Sequence, residues 1–490
     1  SHVKALEAEN RNTVVVSAGD LIGASPLISA LFHDEPTIEA MNQIGLDINA
    51  VGHREFDEGV DELIRLQHGG CHPTDGCLDG DGFAGADFQF LAANVMNVAA
   101  GEPLFPPYAI KTFNGAKVAF IGLTLEGTPL IVSPAGVAGL EFKDEADTVN
   151  ALVPRLKQMG VSAIVVLVHE GGAQIGGIGI NQCVGITGPI VDIVERLDPR
   201  VDLVISGHTH QPYNCVIDGI PVTSAFSFGR LVTDIDLRVD RAKKEVTSIA
   251  IENRIVTRTV PEDAGVSALI DRYNAIAAPI AGRVIGRIMA DIPNVRNVPA
   301  GESAMGDVIA DAQLDATKAP GFGDAVAAFM NPDGIRGSLT YASSFGEGDV
   351  NVTYLELFTV QPFGHNLVSM ALTGAQIDAL LEQQFDNPST PLNRILQMSN
   401  GFSYTWSQSA PTGSKVDISS IKINDVTIDP SASYRVTVNS FLADGGDGFS
   451  VLLEGTNRLG GAVDVDALAA YFAARSPVAP GPQDRINVVP

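Results

Sequence analysis

The chain has 490 residues and a formal net charge of −27, with 45% hydrophobic and 18% charged residues. This composition is typical of a folded globular protein, and the length predicts two or three domains. The acidic balance argues against a protein that binds nucleic acid polymers through a general basic surface. A small anionic substrate is compatible with it, because bound metal ions reverse the local field.

No apolar run reaches the ~18 residues that a membrane-spanning helix needs, so we predict no membrane span. The chain begins at Ser1 without a methionine and contains no recognisable signal peptide; we expect an export signal either to have been removed or to lie outside this sequence. Neither Cys71 with Cys77 nor Cys183 with Cys215 has the CxxC spacing of zinc ribbons or thioredoxins. An even number of loop cysteines favours two disulfides and an extracytoplasmic protein (secreted, periplasmic or of the cell envelope), with four reduced thiols as the alternative.

The amino-terminal half alternates strands and helices. Its predicted elements are, in chain order, a helix end at 3–10, a strand from 14 that leads to Asp20, an amphipathic helix at 35–44, and strands or apolar stretches at 48–51, 90–95, 118–122, 161–168 and 203–205. This alternation is typical of a layered α/β domain. Further on, we predict alternating strands over 238–262, a connecting helix over 261–281 and a helix start at 302–307.

Metal-type ligands follow four of these strands. Asp20, His53 and His169 each come at the carboxyl end of a strand, and His208 and His210 follow another. In open α/β sheets, ligands bind at the carboxyl ends of strands because the loops there form a crevice. Imidazole and carboxylate groups bind Zn, Mn and similar ions. The sequence therefore predicts a metal site at these strand ends.

Three motifs of this half, Ser17–Asp20, Val51–Asp57 and Ser206–His210, resemble those of calcineurin-like metallophosphoesterases, and of their 5'-nucleotidase branch in particular. The part of the chain after about residue 285 resembles the carboxyl-terminal substrate domain of 5'-nucleotidases. The matching segments are 302–307, 329–336, 360–364, 401–404 and 439–449.

The resemblance covers nearly the whole chain and implies an α/β protein of two domains. The first, over 1–260, would be a four-layer α/β/β/α metallophosphoesterase sandwich. The second, over 285–490, would be an α+β nucleotide-binding domain, and a connecting helix over 261–284 would act as the hinge.

The resemblance also implies two divalent metal ions, such as Zn, Mn or Co. Asp20 would bridge them, His169 and His208 would bind one ion, and His210 would bind the other. His53 stands where the family has a metal-binding Asn. Family members begin with a strand ending in Asp-x-His, and this chain has no such motif. We therefore expect the first site to be incomplete in this chain, which is either a fragment of a longer protein or a relative with one weak site.

Arg54 stands where the family has its catalytic His, and Asp57 where the family has the Asp that orients this His. A guanidinium stabilises negative charge but releases no proton near neutral pH. We expect the loss of general-acid help to cost about 10²–10⁴ in rate, less where the leaving group is a phosphate than where it is an alkoxide.

For the second domain, the resemblance places Phe363 and Phe441 on the two sides of a nucleobase, where stacking contributes ~1–3 kcal/mol. Asn331 and Arg336 would contact the phosphate or neighbouring groups, and Asp447 the ribose hydroxyls.

The expected activity is hydrolysis of nucleotide phosphate monoesters at a dinuclear site in the cleft between the domains. The expected partner is a small nucleotide and no nucleic acid polymer, and the expected state is a monomer or weak oligomer. Three alternatives stay open. A 2',3'-cyclic-nucleotide phosphodiesterase with 3'-nucleotidase activity, or a nucleotide-sugar hydrolase, shares the stacking and metal chemistry. A nucleotide-binding relative with little catalysis fits Arg54 and the missing Asp-x-His, and an adhesin could reuse the fold.

Overall fold

The computed structural model describes residues 1–175, 179–297, 299–344, 346–385 and 393–490. Its α-helices are, in chain order, α1 (His2–Glu9), α2 (Leu27–Ala30), α3 (Glu35–Ile44), α4 (Val60–His68), α5 (Glu145–Gln158), α6 (Pro189–Glu195), α7 (Ala264–Ala281), α8 (Ala304–Thr317), α9 (Tyr354–Val360), α10 (Gly374–Glu382), α11 (Ser440–Ala443) and α12 (Asp464–Arg475). Short 3₁₀ helices lie at Arg54–Phe56, Thr128–Leu130, Pro134–Val137, Pro332–Gly334, Gln383–Phe385, Ile418–Ser420, Gly446–Gly448 and Ser450–Glu454.

The strands alternate with these helices along the chain. They are β1 (Val16–Ser17), β2 (Ile48–Ala50), β3 (Gln89–Leu91), β4 (Val95–Asn97), β5 (Glu102–Pro103), β6 (Tyr108–Phe113), β7 (Ala116–Thr124), β8 (Leu140–Phe142), β9 (Ala163–His169), β10 (Leu203–Ser206), β11 (Pro212–Ile217), β12 (Ile220–Ala225), β13 (Leu231–Asp240), β14 (Glu245–Ile255), β15 (Val284–Arg287), β16 (Ala327–Met330), β17 (Asn351–Thr353), β18 (Asn366–Thr373), β19 (Gln397–Met398), β20 (Phe402–Ser407), β21 (Lys422–Ile423), β22 (Val426–Thr427), β23 (Ser433–Asn439), β24 (Thr456–Val463) and β25 (Ile486–Val489).

The chain forms two compact units, one of residues 1–23 and 32–274 and one of residues 24–31 and 275–490. The connecting helix predicted over 261–281 is α7, which begins three residues later, at Ala264. The strands predicted over 238–262 form the hairpin β13–β14, which spans 231–255. The hairpin lies earlier than predicted because the chain reverses after Asp240, whose side chain accepts the backbone N–H of Ala242 at 2.8 Å.

The first unit contains two main sheets whose central strands run parallel. One has the order β1-β2-β3 and the other the order β11-β12-β10-β9-β7-β6. Within the larger sheet β7, β9, β10 and β12 are parallel, and the edge strands β6 and β11 are antiparallel to their neighbours. Parallel pairing puts the carboxyl ends of these strands at one edge, where the predicted ligands follow.

Three apolar layers hold the sheets and helices of this unit together. Alternate residues of β9 point to opposite faces: Val165 packs with the β2 and β3 core, whereas Val166 packs with α5 and α6. The other face of the small sheet packs on α3 and α4. The order of layers is therefore α/β/β/α, as predicted. Burial on both faces explains the continuous apolar run at 161–168.

The two sheets approach closely beside the strand ends. A Cβ on Gly122 of β7 would lie 2.4 Å from Cβ of Leu91 on β3, so only glycine permits this contact. Thr124 Oγ1, at the end of β7, donates to the carbonyl of Val51 at 2.7 Å. These contacts hold the carboxyl ends of β2 and β7 side by side.

The second unit is of mixed α and β structure. Its sheets have the orders β19-β16-β23-β18-β24, β22-β21-β20-β25 and β15-β17. The helix start predicted at 302–307 is confirmed: α8 begins after Ser303, whose hydroxyl accepts the N–H of Gly306 at 3.0 Å. One core fills the space between the five-stranded sheet, α10 and β20, and another packs α8 against α9 and α12.

Candidate metal centre and substrate-binding residues

Four of the predicted metal ligands of the first unit lie together. Asp20, His53, His169 and His208 each offer one ligand atom, and these atoms all lie within 4.8 Å of one another. Asp20 Oδ2 is 3.1 Å from His169 Nε2 and 3.3 Å from His53 Nδ1. His169 ends β9, and the other three residues follow β1, β2 and β10, so strands of both sheets contribute to one cluster.

The backbone at these strand ends is unusual. Asp20 and His208 have positive φ angles, of 55° and 65°, which few non-glycine residues adopt. Gly19 precedes Asp20 with φ of 90°, and a Cβ there would lie 2.7 Å from both Gly52 N and His169 Nδ1. Glycine therefore lets the two strand ends meet, and the strained residues are the ones that carry ligand atoms.

Glu55 is a central residue of the site to which the sequence analysis assigned no role. Its buried carboxylate accepts backbone N–H groups of Asp20 at 3.0 Å, Leu21 at 3.1 Å and Gly52 at 2.8 Å, and the side-chain amide of Asn49 at 3.1 Å. Burial raises the pKa of Glu55 to about 7. Glu55 belongs to the Val51–Asp57 motif, which was the one signal that pointed to it.

Asp20 and His169 form the electrostatic centre of the cluster. Burial opposes the charge of Asp20, but the neighbouring His169 and His53 outweigh this and hold the pKa of Asp20 well below its usual range. The pKa of His169 is raised to about 9, because Asp20 more than offsets the effect of burial. His169 Nδ1 donates to the carbonyl of Ala18 at 2.7 Å, which leaves Nε2 directed at the cluster.

His208 shows that these residues fit a metal ion. Its Nδ1 atom is buried and has no hydrogen-bond partner among the described residues, which is uncommon for a buried polar atom. Burial, together with His169, lowers the pKa of His208 to about 4, so the imidazole is neutral, the form that binds metals. One carboxylate and three imidazoles form a donor set that suits Zn and other first-row divalent ions.

Arg54 and Asp57 adjoin the cluster. The Arg54 backbone N–H donates to Asp20 Oδ1 at 2.9 Å, and its guanidinium Nη1 lies 3.3 Å from Asp57 Oδ2. Burial raises the pKa of Asp57 to about 6, although Arg54 opposes this shift. The structure thus places a permanent cation beside the candidate metal ligands.

His210 lies outside the four-residue cluster. Its ring packs edge-on against Phe228, with 5.1 Å between the ring centroids, and its φ angle of 52° is also positive. The structure therefore brings four of the five predicted metal ligands together, and the role of the fifth stays a prediction.

In the second unit, Asn331 and Asp447 are hydrogen-bonded partners. Asn331 Nδ2 donates to Asp447 Oδ2 at 2.9 Å, and Asn439 Nδ2 donates to Asn331 Oδ1 at 3.0 Å. Arg394 Nη1 lies 2.9 Å from the other oxygen of Asp447. Asn439 opens the 439–449 motif, whereas Arg394 lies outside every motif, so no sequence signal pointed to it.

The two predicted stacking residues are joined through a third ring. The ring centroid of His365 is 5.5 Å from that of Phe363, and the two ring planes differ by 14°. The centroid of Phe441 is 5.8 Å from that of His365, and these planes differ by 10°. The sequence analysis did not single out His365. Arg336, the remaining predicted contact, has an exposed side chain, and its backbone N–H donates to the carbonyl of Val360 at 2.8 Å.

Both predicted disulfides are present in the first unit. Cys71 is bonded to Cys77, and Cys183 to Cys215. Among the helices of the described segments, none has the length and apolarity that a membrane crossing requires.

Residues 284–454 match the family model described as the 5'-nucleotidase C-terminal domain. Over 493 residues, the chain is 33% identical to Endonuclease YhcR of Bacillus subtilis, covering 100% of this chain and 38% of that protein. It is 30% identical over 463 residues to Cell wall protein Lmo0130 of Listeria monocytogenes, covering 90% of this chain and 58% of that protein. The chain thus spans less than two thirds of each of these relatives.

A solved structure of a 5'-nucleotidase precursor from Thermus thermophilus is similar over almost the whole chain. It superposes with a TM-score of 0.78 at 27% sequence identity, covering 99% of this chain and 92% of that one.

Proposed function

We propose that this chain is a metal-dependent hydrolase of nucleotide phosphate esters; residues 284–454 match the 5'-nucleotidase C-terminal domain, and nearly the whole chain is similar to a 5'-nucleotidase precursor. The convergence of Asp20, His53, His169 and His208 from four strand ends is the observation that carries the proposal. Such convergence, with strained backbone at two of the four residues, is difficult to explain as a structural ion cluster.

Asp20, His53, His169 and His208 would hold a divalent ion in this proposal, and His210 would serve a second ion. Bound divalent ions polarise the phosphoryl group and supply a nucleophile at neutral pH. Glu55 keeps the loop of Asp20 against that of Gly52, and so determines where the carboxylate of Asp20 points. Ala18 orients the His169 ring through its carbonyl.

Arg54 would stabilise the charge that develops on the phosphoryl oxygens, and Asp57 would orient its guanidinium. Arg54 cannot protonate a leaving oxygen. This favours leaving groups that depart without a proton, such as the phosphate of a nucleoside diphosphate, over the alkoxide of a nucleoside monophosphate. The second candidate function is nucleotide binding with little catalysis, and Arg54 is the residue that favours it.

The nucleoside would bind to the second unit. In this proposal Phe363 and the buried Phe441 would form one aromatic wall for the base together with His365, which stacks on both. Asp447 would accept the ribose hydroxyls, and Asn331 and Arg336 would contact the phosphate. The boundaries proposed for the two domains are 1–260 and 285–490, with the hinge in 261–284. A monomer or weak oligomer is the proposed state.

We place the protein outside the cytoplasm, in the cell envelope or secreted. Two disulfides support this, since they persist in oxidising compartments. The cell-wall assignment of the Listeria relative agrees with it.

The test is phosphate release from AMP and ADP by the full chain with added Mn²⁺, Zn²⁺ or Co²⁺. We expect metal-dependent turnover that Asp20→Ala abolishes and that Asp61→Ala, an exposed acid on α4, leaves intact. We also expect ADP to be turned over faster than AMP. Nucleotide binding without turnover in any metal would favour the second candidate, and turnover that survives Asp20→Ala would exclude this centre.

A further inference from the structure

An aromatic and basic cluster follows β12 beside the metal centre; we call Phe226, Phe228 and Arg230 the aromatic rim. β12 pairs in parallel with β10, with Ser224 opposite Ser206, so the two strands end at the same edge of the sheet. β10 leads into His208 and β12 leads into the rim. The ring of Phe228 also packs on His210, with 5.1 Å between centroids. The rim therefore adjoins the candidate metal ligands within the first unit.

The rim displays an aromatic face to solvent. Phe228 is 73% exposed, whereas most phenylalanines of this chain belong to its cores. Phe226 and Phe228 have φ angles of 68° and 59°, in the left-handed region that bulky side chains rarely adopt. Strained residues of this kind cluster at ligand sites, because packing alone does not select them.

Arg230 completes the rim. Its guanidinium carbon lies 5.1 Å from the ring centroid of Phe226 and 5.2 Å from that of Phe228, within cation–π range. Within the parts of the chain that the structure describes, the guanidinium pairs with no carboxylate. The guanidinium of Arg230 and the exposed ring of Phe228 thus lie together beside the candidate metal ligand His210.

A phosphate monoester carries one organic group, and the rings of Phe363 and Phe441 in the second unit are already assigned to it. The aromatic rim is an additional aromatic surface, and it lies next to His210 within the first unit. Base–aromatic stacking tolerates every base, because each base has a π face, and arginine adds cation–π attraction. A phosphodiester carries a second organic group, and an aromatic one would match the exposed ring of Phe228.

We propose that the aromatic rim binds the second organic group of a phosphodiester, a nucleobase or other aromatic ring stacked on Phe228 with Arg230 against the anion. This rests on the proposed function and adds phosphodiesters with two aromatic arms to its substrates. In the reaction, water adds to phosphorus and the P–O bond to one arm breaks. The departing oxygen leaves as an alcohol or its anion, and the proton of the water goes to that oxygen or to solvent.

The test compares thymidine 5'-phosphate, a monoester, with its p-nitrophenyl ester, a diester, both assayed with Mn²⁺. We expect Phe228→Ala to raise KM for the diester about tenfold, the loss of one stacked ring, and to leave KM for the monoester unchanged. Phe228→Trp should retain the low KM. Phe322→Ala is the matched control, since Phe322 is 68% exposed and lies in the second unit.

An equal change for both esters, or no change for either, would overturn the role of the rim while leaving the proposed function intact. If the wild type hydrolyses neither ester, the proposed function fails. Calorimetry then measures whether the Mn²⁺-loaded protein binds the diester through the aromatic rim. Binding that Phe228→Ala weakens about tenfold supports the rim, and equal or absent binding overturns it. Phe228→Leu, which keeps the apolar bulk without the ring, serves if the alanine variant does not fold.

Discussion

The candidate metal centre of the first unit and the proposed nucleoside-binding residues of the second are held in different ways. Around Asp20, the main chain does the positioning, because Glu55 binds three backbone N–H groups from two loops. Around Asp447, side chains hold one another through Asn331 and Arg394. Loss of Glu55 would leave three backbone N–H groups without their acceptor, whereas loss of one member of the side-chain network would leave one or two groups unpaired. We therefore expect changes at the loops around Asp20 to affect stability and kcat, and changes at Asp447 to affect KM.

The largest expected effect is on stability. Glu55→Gln should lower the free energy of unfolding by about 3 kcal/mol at pH 8. The reason is that the amide NH₂ group replaces a carboxylate oxygen and cannot accept the backbone N–H groups that this oxygen accepted. Metal affinity should fall with the stability. Urea denaturation and Mn²⁺ calorimetry measure both, with Glu252→Gln, an exposed acid of β14, as the control. Unchanged stability and metal affinity would show that the backbone of these loops does not depend on Glu55.

The next effect concerns rate. Arg54→His should raise kcat for AMP about 100-fold, because an imidazole can protonate the alkoxide that leaves. The gain for ADP should be smaller, since its phosphate leaving group needs no proton. Steady-state kinetics with AMP and ADP measure the two changes in kcat. The pH dependence of kcat for AMP should also show a decrease at high pH, where the new imidazole loses its proton. Arg54→Lys keeps the charge without an acid of suitable pKa and should give no gain; a gain with lysine would contradict the proton-transfer account.

In the second unit, Asp447→Asn should raise KM for AMP about tenfold through the loss of a charged hydrogen-bond acceptor. kcat should stay unchanged, in contrast to the first two variants. Asp444→Asn, a neighbour paired with Arg458 on the surface, is the matched control. A fall in kcat at constant KM would place Asp447 with the reacting groups and remove the contrast between the units.

The last effect is a pH dependence of stability in the second unit. Burial, opposed by Arg485 and reinforced by Glu302, raises the pKa of Asp307 to about 8. The folded state then binds a proton that the unfolded state releases near pH 4, so this group's contribution to stability falls as pH rises from about 4 to 8. Asp307→Asn should therefore reduce the difference in the free energy of unfolding between pH 5 and pH 8.

Unfolding of the wild type and the variant at the two pH values tests this, with the exposed Asp324→Asn as the control. The same slope in the wild type and in Asp307→Asn would show that Glu302, and not Asp307, carries the proton.

Local sequence signals determined much of the fold. The helix predicted at 35–44 is α3, with the same bounds, because its apolar period and Pro36 in the first turn need no distant partner. The apolar run of β9 and the loop cysteines predicted a buried strand and two disulfides. Asp20, His53, His169 and His208 were identified because each lies at or shortly after the end of a strand, and the carboxyl ends of parallel strands share an edge.

Only the tertiary structure decided what those residues touch. The role of Glu55 depends on loops that follow β1 and β2, and nothing local marks a carboxylate for distant N–H groups. The stacking of His365 on Phe363 and on Phe441 joins residues about 80 positions apart in sequence. Arg394 reaches Asp447 across 53 positions. The rim meets His210 through the pairing of β10 with β12. Residue type and spacing thus determined which side chains are candidates for the site. Packing across the sheets determined their partners, because these contacts join residues far apart in sequence, and no local pattern of the sequence specifies such contacts.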